Sequence, residues 1–234
     1  MERWGVPEPR PAQSAPARPT GGSGGTRAGH TRSLPGAGFG AAFQALVDRK
    51  LRELGGTWQQ RSSRARRAEA VRRATHDMAG RVERQSGRRP AESTLRRNAR
   101  TNRAPRGVDP EWLDRQARID EAGGVKVLAQ LLGVSQYAVR RWRDDGRPLV
   151  PGALIITADV EGVLIVNGEE YPRSLTVSVT IYPPAADDVR VANALGDMDR
   201  IAELLGPEIA AQVDWAGDAD REYTVTEIVD ISLQ

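Results

Sequence analysis

The sequence predicts a mainly helical N-terminal half containing a helix-turn-helix, followed by a small α+β C-terminal domain and preceded by a disordered N-terminal tail. Three observations carry this. Apolar residues recur at helical spacing between residues 39 and 144. Beyond residue 148 they switch to the near-alternation of strands. Charge divides at the same place: residues 1–150 hold 30 Lys+Arg against 15 Asp+Glu, a balance of +15, whereas residues 151–234 hold 4 against 16, a balance of −12.

The formal total of +3 over 234 residues therefore conceals a basic half and an acidic half. A basic half is what phosphate neutralisation requires, because each cation that meets a phosphate releases condensed counterions. Lysine occurs only at Lys50 and Lys126, and the other 32 basic residues are arginine. Such a bias is the ordinary mark of a GC-rich genome, so the argument rests on where the arginines fall. There is no cysteine, which excludes disulfides, thiolate metal sites and a cysteine nucleophile. The two histidines, His30 and His76, give no basis for a metal site or a catalytic triad. No Gly-rich phosphate loop occurs. We therefore expect no enzyme activity, no cofactor and no metal. No apolar run approaches the roughly 18 residues of a membrane span, and the N-terminus lacks an apolar signal core. The expected place is the cytoplasm, at the nucleoid.

Residues 1–38 are rich in Pro, Gly, Ser, Ala and Arg and bury too little apolar surface to order, so they read as a disordered basic tail. Residues 39–147 read as a helical DNA-binding region. Phe39, Phe43, Leu46, Val47, Leu51 and Leu54 mark a first helix, ended by Gly55 and Gly56. A second, from about Ser62 to Gln85, has a thin stripe of Ala65, Ala68, Val71, Ala74, Met78 and Val82, with arginine over much of the rest. A short third helix starts at Pro90, which suits a first turn, and continues through Leu95, Arg96 and Arg97. Asp109, Pro110 and Glu111 form a strong start for a fourth, which stops at Gly123 and Gly124.

Residues 148–234 read as an acidic α+β domain. LIITADVEGVLIV and SLTVSVTIYP are strand-like, with Asn167 and Gly168 as a turn signal between them. The Glu-Glu-Tyr-Pro after that turn predicts a loop longer than two residues. Residues 187–213 read as one or two helices punctuated by Gly196 and by Gly206-Pro207, and EYTVTEIVDISL as a last strand. The acidic residues Asp187, Asp188, Asp197, Asp199, Asp218 and Asp220 could hold a divalent metal, but such residues more often start helices or sit in turns.

The chemistry-bearing motif is at residues 125–144, VKVLAQLLGVSQYAVRRWRD. A helix-turn-helix needs a small residue where its helices approach, and Ala129 is there. It needs a residue able to take positive φ in the turn, and Gly133 follows four residues on. Leu128, Leu132, Val134, Val139 and Trp142 stand where apolar packing is required, and Ser135 can cap the second helix. Trp142 could instead stack on a base, but its spacing places it on the packed face. What remains outward is Gln136, Tyr137, Arg140, Arg141 and Asp144. Gln bonds bidentately to adenine and Arg to guanine, so Gln136, Tyr137 and Arg140 are the candidates for base edges. Lys126, Ser135, Arg141, Arg143 and Arg147 suit phosphates, which position without specifying.

Arg96-Arg97 precede Arg140-Arg141 by 44 residues in similar local settings. A degenerate helix-turn-helix at residues 78–100 and a simple basic helix pair both fit, and either would add phosphate contacts from Arg96 and Arg97.

At VKVLAQLLGVSQYAVRRWRDDG, followed by Arg147-Pro148 and a tail ending YTVTEIVDISLQ, the chain resembles the telomere terminal proteins of actinomycete linear chromosomes and plasmids. The resemblance covers about residues 120–234 and does not extend to residues 1–38 or 61–100. It implies binding to telomeric DNA, covalent attachment to 5′ ends through a side-chain hydroxyl, and work with a telomere-associated partner and a polymerase. No position here aligns with the attachment residue. The function expected is thus sequence-specific binding of double-stranded DNA, at replicon ends and in DNA replication. The alternative is a plasmid- or phage-type transcriptional repressor. A homodimer through the C-terminal domain would suit a palindromic site.

Overall fold

The computed structural model describes residues 38–215 and 220–234, which belong to one compact unit, Ser33–Gln234. The expected tail, Gly38 apart, and Asp218 lie outside the described residues. In chain order come α1 (Phe39–Arg52), α2 (Ser63–Ser86), α3 (Glu92–Arg100), α4 (Pro110–Ala122), α5 (Val125–Leu132) and α6 (Gln136–Asp145). Then follow β1 (Leu154–Val166), β2 (Glu169–Ile181), α7 (Ala185–Leu195), α8 (Met198–Gln212) and β3 (Arg221–Leu233). A 3-10 turn, Gly56–Gln60, follows α1 and is not legible in the sequence.

The first core joins Phe39, Phe43, Leu46 and Val47 of α1 to Ala74, Met78 and Val82 of α2, Leu95 of α3, and Trp112, Leu113 and Ala117 of α4. Ala65 and Ala68 of the expected α2 stripe are not buried; Ala70 and Ala79 are. Alanine buries so little area that periodicity cannot fix which alanines face inward. α3 starts at Glu92 with Ala91 as its N-cap, so Pro90 lies before the helix rather than in its first turn. α4 starts as its sequence requires: Asp109 accepts from the Glu111 N–H at 3.0 Å and Pro110 takes the first position.

α4 also enters a second core. Its Ile119 packs with Leu128 and Ala129 of α5, Val139 and Trp142 of α6, Leu149, and Val191 of α7. Apolar packing therefore runs on past residue 148. Leu149 is buried, and its N–H donates to Asp187 of α7 at 3.0 Å.

The sheet is antiparallel in the order β2-β1-β3. Val166 pairs with Glu169, so Asn167 (φ 51°) and Gly168 (φ 86°) form a two-residue primed turn. The longer loop expected from Glu-Glu-Tyr-Pro is thus corrected. Those residues open β2, which lies at the sheet edge, where proline is tolerated because edge N–H groups can face solvent. One face of β1 and the buried side of α7 and α8 make the third core, with Ile156, Val160, Val179, Ile201, Leu205 and Ile209 at its centre. Gly196 separates α7 from α8, but α8 runs through Gly206-Pro207 without a break. Gly206 is needed for approach rather than for a turn: a Cβ there would stand 2.5 Å from the carbonyl oxygen of Tyr223 on β3. Among the described residues no helix is long and apolar enough to cross a membrane.

Candidate nucleic-acid interface

Three residues, 133–135, separate α5 from α6. Gly133 ends α5 at φ 65°, and the Val134 N–H returns to the Ala129 carbonyl at 3.0 Å. The Ser135 hydroxyl then accepts the Ala138 N–H at 3.1 Å and starts α6. Leu128, Ala129, Val139 and Trp142 are buried together, so Trp142 belongs to the core and not to a stacking surface. Leu132 and Val134 are packed against the same cluster.

With that face fixed, Gln136, Tyr137 and Arg140 are exposed, Tyr137 by 65%. They are ordered among themselves. Arg140 Nη2 donates to Gln136 Oε1 at 3.4 Å, and the Arg141 guanidinium stands 5.4 Å from the centre of the Tyr137 ring. Lys126, Ser135 and Arg147 are exposed near the ends of the helix pair, with Arg147 only 4.0 Å from Asp145.

Arg143 is differently placed. It grips Asp144 with Nε and Nη2, both at 2.7 Å, and Asp144 also accepts the indole N–H of Trp112 at 3.2 Å. Arg143 foremost, then Trp112, hold the Asp144 carboxyl below its usual range. Arg115 Nε donates to the Arg143 carbonyl at 3.1 Å. These contacts tie the end of α6 to α4, and the charge of Arg143 is matched where it lies.

Arg96 and Arg97 stand apart from this set, on α3. Arg96 bonds Glu92 at 3.3 Å and reaches the Thr75 hydroxyl at 3.5 Å. Arg97 is exposed and unpaired among the described residues. Between α2 and α3 lies an open cleft of about 490 Å³ whose rim is Arg64, Arg67, Arg72 and Arg96 over Ala68 and Val71. A neighbouring cleft of about 550 Å³ includes Lys50, Arg73, His76, Arg84 and Arg89. Part of this charge is already answered: Arg72 first, then Arg73, hold the Glu69 carboxyl down to about 2.

Sequence reasoning missed the group that fixes α4 on α1 and α2. Asp120 is wholly buried and accepts from Arg81 Nη1 (2.5 Å), Arg81 Nη2 (3.2 Å), Arg49 Nη1 (3.0 Å) and Gln116 Nε2 (3.3 Å). Arg52 Nη2 caps the end of α4 through the carbonyls of Asp120 (2.8 Å) and Glu121 (3.0 Å). Only the arginines near the end of α1 carry a hint of this, as donors free to meet the last carbonyls of a helix.

Four of the acidic residues weighed for a metal, Asp187, Asp188, Asp197 and Asp199, stand at helix starts. Asp187 and Asp188 lie in the first turn of α7, and Asp197 caps α8 by accepting the Arg200 N–H at 3.2 Å. Among the described residues no group of three or more His, Asp or Glu could hold a metal ion. Comparisons with protein-family models, curated proteins and solved structures find no match to this chain.

Proposed function

We propose that this chain is a sequence-specific double-stranded DNA-binding protein that uses α5 and α6 as a helix-turn-helix, with α6 as the reading helix. The observation that carries the reading is the exposed face of α6. Gln136, Tyr137 and Arg140 are held outward by the burial of Val139 and Trp142 on the opposite face. A major groove about 12 Å wide admits one α-helix, and Gln and Arg can each pair bidentately with a base there. Lys126, Ser135, Arg141 and Arg147 flank that face and would meet phosphates. The Ser135 hydroxyl accepts its capping bond and keeps its own proton to donate. The acidic residues 151–234 would be repelled by phosphates, which leaves that part of the chain for a partner or a second copy.

The test is selection of bound duplexes from a random-sequence pool, followed by footprinting. We expect one enriched sequence, with Arg140→Ala or Gln136→Ala weakening it by about 1–3 kcal/mol and leaving non-specific binding in place. An unenriched pool, or a footprint that both substitutions leave unchanged, would sink the reading. The resemblance to telomere terminal proteins makes replicon ends the proposed place of action. Protection of promoters instead of ends would favour a repressor.

A further inference from the structure

We infer that α3 is a second DNA-contacting helix held at a fixed offset from α6, so that one chain grips a single duplex at two places. This rests on the reading above. α1, α2 and α3 pack as a trio around Leu46, Met78 and Leu95, and α4, α5 and α6 as another around Ile119, Leu128 and Val139. Each trio ends in a short helix, of nine residues in α3 and ten in α6, with a narrow buried side: Leu95 in α3, Val139 and Trp142 in α6.

Charge singles out what the α3 surface is for. Arg97 and Arg100 on α3, and Arg103 and Arg106 just after it, are all exposed. None has an ion-pair partner among the described residues. Arg49, Arg72, Arg73, Arg81, Arg89 and Arg115 do sit in ion pairs. Arg61, Arg64, Arg84 and Arg88, on or beside α2, are exposed and, like the four on and after α3, have no ion-pair partner among the described residues. The only acid on α3 is Glu92, which is held by Arg96. Four guanidinium groups within ten residues and without ion pairs among the described residues repel one another until an anion arrives, and a phosphate backbone supplies a row of anions.

Rigidity turns two contacts into one spaced site. α4 contributes Leu113 to the first core and Ile119 to the second, and Asp120 of α4 is locked to Arg49 and Arg81. The two short helices therefore cannot adjust their separation independently. The DNA site should be asymmetric, with a fixed interval between its two contacted segments.

The experiment uses the full chain and the duplex it selects. Arg97→Ala/Arg100→Ala and, separately, Arg103→Ala/Arg106→Ala are compared with Arg140→Ala, with thermal melting to show that the exposed substitutions leave the fold intact. Each α3 variant should lower the slope of log affinity against log salt by about one for every phosphate it no longer neutralises and erase one flank of the footprint. Inserting about five base pairs, half a helical turn, between the two protected segments should bring wild-type affinity down to that of the α3 variants. Unchanged affinity, salt slope and footprint in both α3 variants would overturn the inference. Equal affinity for the same sequence as RNA would do so as well. If only Arg140→Ala weakens binding, the second contact fails while α6 stands; if no duplex is selected, the reading of α6 fails first.

Discussion

Arg81 and Asp120, 39 residues apart in sequence, meet as a two-pronged ion pair with N–O distances of 2.5 and 3.2 Å and side-chain exposures of 8% and 1%. Arg49 adds a third donor at 3.0 Å, so one carboxylate joins α1, α2 and α4. Removing one partner of a buried pair strands the other charge, which costs about 3–5 kcal/mol. Asp120→Ala leaves the buried Arg81 with Asp77 as its one acid and the partly exposed Arg49 with Glu53, and should lower stability by up to that order in urea unfolding. Arg81→Met/Asp120→Leu removes both charges and should cost less than Asp120→Ala alone. A loss under about 1 kcal/mol for Asp120→Ala would show that water already reaches the pair.

The burial of Asp187 sets the sign of a pH dependence. Burial raises its carboxyl above the usual aspartate range, although the Leu149 N–H, the Arg190 guanidinium and the Val150 N–H oppose it. The folded chain then holds a proton at pH values where the unfolded chain has released it. The stability this group contributes is complete below its ordinary pKa of 3.8 and is lost as pH rises through the raised folded value. Asp187→Asn cannot follow that titration, and its amide oxygen still accepts the Leu149 N–H. Melting wild type and Asp187→Asn from about pH 7 to about pH 4 should show the difference moving in favour of wild type as acid is added. A flat difference, or one moving the other way, would mean that the N–H groups and Arg190 outweigh burial.

Much of this architecture is legible in the sequence because it is local. Ala129, Gly133, Ser135 and the spacing of Leu128, Val139 and Trp142 fix two helices and a turn within twenty residues, and Asp109-Pro110 fixes the start of α4. What is not legible is set by partners far along the chain. Nothing local in the sequence tells that Asp120 meets Arg49 and Arg81, or that Val191 closes the α5–α6 pair. Gly206-Pro207 reads as a break because the sequence does not reveal that β3 passes against that glycine. The exposed face of α6 follows from the same local spacing. The pairing of Arg143, expected at phosphates, with Asp144 is not legible either, because Trp112 and Arg115 hold that neighbourhood from another helix.

Folding and reading should separate within α6. Trp142 is 3% exposed in the core, so Trp142→Ala should cost about 3–5 kcal/mol. Ser135→Ala removes the bond to the Ala138 N–H and should cost about 1 kcal/mol. Arg140→Ala, on the exposed face, should shift stability by no more than about 0.5 kcal/mol while still weakening DNA binding. Thermal melts beside duplex titrations check all three. A loss of stability from Arg140→Ala equal to that from Trp142→Ala would place the arginine in the scaffold and remove the case for it as a reader.

Tyr223 is pinned from two sides by glycines. A Cβ on Gly206 would stand 2.5 Å from its carbonyl oxygen, and a Cβ on Gly162 would stand 2.6 Å from its ring and also meet the Thr224 carbonyl. Its hydroxyl donates to the Arg173 carbonyl at 3.2 Å, and its ring lies 6.1 Å from that of Trp215. Gly162→Ala must therefore displace both the ring and the β3 backbone, and overpacking of this kind costs about 1–3 kcal/mol. Tyr223→Ala should cost about 3–5 kcal/mol, as a large buried ring is removed. The two changes share one space, so the double variant should be more stable than the sum of the single losses predicts, by about 0.5–3 kcal/mol. Strict additivity in urea unfolding would mean that the clash of a Gly162 Cβ is borne by the Thr224 carbonyl alone and that the tyrosine ring yields without cost.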